Sequence, residues 1–156
     1  MARGFWLMKT EPGTFSWDDL LKEPGQTTHW DGVRNYQARN LLRDRIQVGD
    51  GVLFYHSSTD PPAAVGTAKV VTAGYPDPTQ FDRKSKYHDP KSNRDNPRWY
   101  VVDIKADRAF KRPVTLKEMR EKRGLEKMKL LQRGMRLSVQ PVTAAEWKIV
   151  TKMGGL

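Results

Sequence analysis

Twelve residues, His29-Trp30-Asp31-Gly32-Val33-Arg34-Asn35-Tyr36-Gln37-Ala38-Arg39-Asn40, carry two aromatic rings, two guanidinium groups, three amide side chains and one glycine. A segment built only for burial has no use for so much polar equipment, and a wholly wet one has no use for the tryptophan. A turn after Trp30, with Gly32 allowing an unusual backbone angle, leads into a helix capped by Asn35. Helical spacing then puts Arg39 and Arg43 on one stripe, with Ala38, Leu41 and Leu42 facing the other way. Ring, hydrogen-bond donors and positive charge together suit a flat, polar ligand on an anionic backbone. A core tryptophan leading into an ordinary amphipathic helix with solvated arginines accounts for the same residues. The stretch alone does not separate these two readings.

Other chemistry is thinly represented. His29, His56 and His88 lie far apart, and none has a second histidine at metal-ligand spacing. There is no cysteine, which excludes disulfides, thiolate catalysis and cysteine-based zinc sites. No metal or other cofactor is expected. Ser57 follows His56, but adjacent strand residues point to opposite faces, so the two form no local dyad. No nucleophile elbow, phosphate-cradling glycine loop or dinucleotide fingerprint is present. A general base at His56 needs a remote carboxylate such as Asp31 or Asp103, so no catalytic residue is assigned. Asp18 and Asp19 sit behind Ser16 as first-turn acids of a helix and read as capping chemistry.

The aromatic residues are a stronger signal. Trp6, Trp30, Tyr36, Tyr55, Trp99 and Tyr100 all fall on strands, strand ends or the turn at Trp30. Trp6, Phe54 and Tyr100 are expected in the core. An aromatic ring beside a cation and an amide is the arrangement that sandwiches an unstacked base.

Several elements position these groups. Phe5–Met8 is a short apolar run that reads as a buried first strand. Val52–Ser57 alternates, with Val52, Phe54 and His56 on one face, and Leu53, Tyr55 and Ser57 on a second; one face is core and the other carries a phenol and a hydroxyl inward or towards a pocket. Ala64–Gly74 reads as a long strand in which Gly66 marks a bulge or a close backbone approach. Residues 75–97 form a long polar excursion, and Trp99–Ile104 is the next strand, followed by a basic connection between Phe110 and Val114. Thr115–Glu118 and Thr143–Glu146 are capping boxes, Leu125–Leu131 is expected to be an amphipathic helix, and Arg136–Val142 is extended. Alternating polarity along the strands points to an α+β fold around a small, mostly antiparallel barrel.

At 156 residues the chain is read as one domain, 1–156. No apolar run reaches membrane-spanning length, and Met1–Gly13 lacks the apolar block of a signal peptide, so no membrane association is expected. A cysteine-free chain suits a reducing, cytoplasmic setting. Net charge is +10, and it is segregated: residues 105–136 hold twelve basic and four acidic groups, while residues 1–30 hold three and four. Such a distribution favours a polyanionic partner, of which nucleic acid is the commonest.

Six blocks taken in order resemble the EVE domain family, relatives of the YTH and PUA-like domains. They are FWLMKTEP (5–12), WDGVRNYQARN (30–40), VLFYHS (52–57), YPDPTQFD (75–82), NPRWYVVD (96–103) and RLSVQPVT (136–143). The resemblance implies a PUA-like barrel with flanking short helices and a pocket that accepts a modified base of DNA or RNA. By it, Trp30 is the first wall of an aromatic cage, Lys9 and Thr10 its floor, and Asn35 the amide that reads a base edge. Tyr55, His56 and Ser57 line the same cavity, Ser138 after Arg136 closes it, and Trp99 is a second ring. The further loop aromatics of the YTH cage have no clear counterpart here. Tyr36 and Arg39 complete the expected ligand-binding set. The resulting expectation is a non-enzymatic nucleic-acid reader whose partly exposed Trp30 stacks on an extruded base while basic residues track phosphates. Its rivals are a modification-indifferent RNA module of the same fold and a nucleotide-acting enzyme built on His56.

Overall fold

A computed structural model describes residues 3–156. Met1 and Ala2, the first residues of the expected domain and of the leader reading, lie outside the described residues. The main sheet has six strands: β1 (Phe5–Thr10), β2 (Thr27–His29), β3 (Gly51–His56), β4 (Ala63–Val70), β7 (Asp103–Thr115) and β8 (Val139–Val142), in the order β2-β7-β4-β3-β1-β8. A two-stranded ribbon pairs β5 (Tyr75–Pro76) with β6 (Tyr100–Val101). Only β1 and β3 run parallel; the other pairs are antiparallel, and the sheet curls into a half-barrel. Four short helices flank it: α1 (Trp17–Lys22), α2 (Tyr36–Asn40), α3 (Leu116–Glu121) and α4 (Ala144–Met153). This is the expected α+β class.

The parallel pair explains the apolar reading of β1. It lies between β3 and β8 with a core on each face. Trp6 and Met8 enter one core beside Val52, Phe54 and Trp30, whereas Leu7 enters the other beside Leu53, Tyr55 and Leu125. A strand covered on both sides cannot alternate with polar residues. Tyr55 therefore belongs to the second core, 2% exposed, and not to a pocket wall.

The start signals hold up. Ser16, Thr115 and Thr143 each close a capping box with the acid three residues on, which satisfies N–H groups that the first helical turn leaves unpaired. Gly66 marks a close approach: a Cβ there would meet the Trp17 ring at 2.7 Å, and β3 and β4 shift register at this point. Four expectations fail. The strand read over Ala64–Gly74 ends at Val70, and the one read over Trp99–Ile104 is divided between β6, which pairs with β5, and β7, which joins the main sheet. The basic connection between Phe110 and Val114 is part of β7, whose register against β4 slips twice, so its inward residues lose the period of two. Leu125–Leu131 is a chain of turns ending in a short 3-10 turn over Lys129–Leu131, not a helix. Each turn bonds three residues back, from Leu125 to Lys122, Met128 to Leu125 and Leu131 to Met128. Repeated turns of that length reproduce the apolar spacing of a helix.

The long excursion over residues 75–97 is fastened by polar groups. Gln80, fully buried, donates to the carbonyls of Asp77 and Trp99, both at 2.8 Å, and accepts from Ser92 Oγ and the Trp99 N–H. Lys86 and Tyr87 of this loop share a cavity wall with β2 and the chain after it, the exit of β1 and Ser138.

Candidate nucleic-acid site

The open seam of the half-barrel holds a cavity of about 870 Å³, inside the roughly 300–1,000 Å³ usual for ligand sites. Its wall draws on the exit of β1 (Lys9, Thr10), the loop before α1 (Thr14, Phe15), edge strand β2 and the turn beyond it, the loop at Lys86 and Tyr87, and Ser138 just before β8. The two unpaired sheet edges thus face one another across it.

Trp30 is the hinge of the wall. Its N–H bonds to Val102 O at 2.9 Å, and its ring meets Phe54 edge-on with centroids 5.5 Å apart. Only 7% of the residue is exposed. The expected partly exposed cage ring is therefore a core residue whose remaining surface lines the cavity. The wider aromatic surface comes from Phe15 and Tyr87, both half-buried.

Tyr87 is held by a lock that sequence reasoning missed. Gly32 adopts a φ of +77°, and a Cβ on it would lie 2.5 Å from the Tyr87 ring, so the ring rests on bare backbone. The Gly32 N–H donates to Asp77 Oδ2 at 2.9 Å. Arg34 donates to the same oxygen at 3.0 Å and to Tyr87 O at 2.6 Å, with its guanidinium 5.6 Å from the Tyr87 ring and 5.3 Å from the Trp99 ring. Asp77 also accepts from the Thr79 N–H and hydroxyl. Burial works to raise the Asp77 pKa, but the bonds from Thr79, Gly32 and Arg34 outweigh it and hold the group below its ordinary value. In the sequence Asp77 reads as no more than the cap of the turn that Pro78 and Thr79 begin, which hides its bonds to Gly32 and Arg34.

Polar groups reach into the cavity between the rings. Lys9 has no side-chain partner among the described residues, and burial lowers its pKa. Asp31 Oδ2 lies 3.3 Å from His29 Nε2; burial raises the Asp31 pKa, His29 opposes this and Asp77 reinforces it. Asp103, also on the wall, accepts from Tyr75 OH at 2.5 Å.

Of the residues expected to bind, Lys9, Thr10, Trp30 and Ser138 line this cavity. The others do not. Asn35 caps α2, accepting from the Ala38 N–H at 3.0 Å, and lies with Arg136 in a separate shallow groove of about 320 Å³ beside Arg133. Tyr36 is exposed and stacks on Trp99 outside the cavity, with Arg39 turned over the Tyr36 ring and bonded to Arg98 O. Trp99 is itself buried, its Nε1 donating to Asp89 at 2.7 Å. His56 Nε2 accepts the Trp17 N–H at 3.1 Å, and burial lowers its pKa against the opposing pull of Asp18, so it serves α1 as a neutral acceptor. No base formed by His56 with Asp31 or Asp103 is assembled. Ser57 uses its backbone N–H on Thr10 O, tying β3 to β1.

Residues 4–153 match the model of the EVE domain. The chain belongs to the EVE domain family. Human thymocyte nuclear protein 1 is 41% identical over 165 residues, spanning 95% of this chain and 72% of that protein, and the zebrafish protein of the same name is 43% identical. Among solved structures, a hypothetical protein from Leishmania major superposes with a TM-score of 0.92 at 44% identity, covering 99% of this chain and 96% of its own. Human THYN1 protein in complex with DNA containing 5-methylcytosine superposes with a TM-score of 0.89 at 41% identity, covering 98% of both chains. The fold is therefore PUA-like, as the resemblance implied.

Proposed function

We propose that this EVE domain is a non-enzymatic reader of modified DNA, which takes an extruded 5-methylcytosine into the cavity between Trp30, Phe15 and Tyr87. The observation that carries this reading is the cavity itself: three rings and several unspent polar groups around a space of ligand size, on a scaffold shared with a relative in complex with 5-methylcytosine DNA. A flat base stacks on the rings while the polar groups meet its edge. The twelve basic residues between Lys105 and Arg136 are all exposed, and they supply sequence-independent attraction to phosphates.

Trp30→Ala is a poor test, because removing a buried tryptophan costs about 3–5 kcal/mol of stability. Tyr87→Ala is the better one. Binding is measured by fluorescence anisotropy on duplexes that differ only in one cytosine or 5-methylcytosine. The wild type is expected to prefer the methylated duplex, and with stacking worth roughly 1–3 kcal/mol per base, Tyr87→Ala is expected to lose about tenfold on it. The salt-sensitive binding common to both duplexes remains. Equal losses on the two duplexes would remove the cavity from the account.

A further inference from the structure

Thymine carries the same 5-methyl group as 5-methylcytosine. A cavity that sensed only shape and apolar contact would therefore be occupied by every thymine the protein could extrude. The two bases differ at the pyrimidine edge, where cytosine presents an N4 amine donor and thymine an O4 acceptor. Discrimination needs a fixed acceptor in the wall.

Four carboxylates line the cavity, and they are not equivalent. Asp103 is engaged by Tyr75 OH. Glu11 is exposed at the rim, and Glu23 lies at the far end of α1. Asp31 directly follows the ring of Trp30, and the backbone around it is fastened at three successive residues. Trp30 N–H bonds to Val102 O, Asp31 N–H to His29 O and Gly32 N–H to Asp77 Oδ2. Its Oδ2 lies against His29, and apart from its own backbone N–H the carboxylate has no other partner among the described residues. The side chain is 34% exposed, enough to meet a ligand.

We propose that Asp31 is the specificity-determining residue of the cavity: its carboxylate, which retains acceptor capacity beside His29, accepts a hydrogen bond from the N4 amine of a 5-methylated cytosine and repels the O4 of thymine. This rests on the cavity being a base pocket. Lys9, whose ammonium is unspent, supplies the complementary donor to the pyrimidine O2. Burial of the Asp31 carboxyl, which raises its pKa, also makes an amine donor from the ligand more valuable to it than it would be in water.

The test uses oligonucleotide duplexes with one variable base opposite an abasic site, so that pairing strength does not contribute. The bases are 5-methylcytosine, cytosine, thymine and a 5-methyl-2-pyrimidinone that lacks the N4 amine. Wild-type protein is expected to bind 5-methylcytosine at least about tenfold more tightly than thymine or the amine-less base, the range of one charged hydrogen bond. Asp31→Asn, nearly isosteric, is expected to bring those ratios to within about threefold while keeping the preference of 5-methylcytosine over cytosine. Deleting the amine from the ligand reports the same bond without altering the protein. If wild type prefers 5-methylcytosine to cytosine but binds thymine equally, or if Asp31→Asn keeps the full ratio, the role of Asp31 is overturned and the base pocket stands. If wild type shows no preference between 5-methylcytosine and cytosine, both fall.

Discussion

Replacing Asp77 by alanine removes the piece on which the cavity wall depends. The fully buried carboxylate receives the Gly32 N–H at 2.9 Å, Arg34 at 3.0 Å, the Thr79 N–H at 2.8 Å and the Thr79 hydroxyl at 2.6 Å. Without it the Arg34 guanidinium, whose side chain is 23% exposed, keeps only neutral partners, the Gly32 N–H is orphaned and the left-handed turn has no anchor. Breaking a buried pair by deleting one partner costs about 3–5 kcal/mol. Partial water access to Arg34 places this case near 3 kcal/mol. At about 2–4 °C per kcal/mol for a chain of this size, the melting temperature falls by roughly 6–12 °C. Thermal unfolding followed by circular dichroism measures the loss, and anisotropy below the transition measures preference for the methylated duplex, which disappears with the wall. The pH dependence gives a second signature. A carboxyl whose folded pKa is depressed contributes stability that is complete above its unfolded value of 3.8 and lost as pH falls through the lower folded value. Asp77→Ala therefore lacks part of the acid limb that the wild type shows below about pH 4. A loss under about 1 kcal/mol, with the acid limb unchanged and the methyl preference intact, would refute the lock.

Further outcomes follow from the same geometry. Gly32→Ala places a methyl group against the Tyr87 ring at a positive φ, and is expected to cost about 1–3 kcal/mol in chemical denaturation and to erase the methyl preference. Asn35→Ala removes a cap and no cavity wall, so stability drops by about 1 kcal/mol while the ratio of affinities for methylated and plain duplex stays constant. Charge reversal at both Arg133 and Arg136 weakens binding to the two duplexes equally and flattens the dependence of log affinity on log salt, read from a salt titration.

Much of the fold was legible because its signals are local. Each capping box sits within four residues, β1 announces itself by an unbroken apolar run, and β3 by its β-branched and aromatic residues between turns. The cavity was legible in outline, since Lys9, Thr10, Trp30 and Ser138 all reach it. What was hidden depends on distant partners. Asn35 reads as a base-reading amide until Ala38 is seen to use it, and His56 reads as a pocket acid or base until α1 claims it. The cavity ring that the sequence did not place is Tyr87, in a proline- and lysine-rich stretch with no periodicity to locate it. It is held at the cavity through Gly32, Arg34 and Asp77, the last two more than forty residues apart in sequence. Tyr55 was misplaced for a related reason: alternation assigns two faces to a strand but does not say that both are covered.

A crystal structure of this chain with a duplex carrying a single 5-methylcytosine is the most direct measurement. The account predicts the methylated base outside the helix, in the cavity against Trp30, Phe15 and Tyr87, with phosphates on the basic surface. A duplex lying on that surface with every base still stacked, and the cavity filled only by solvent, would contradict it.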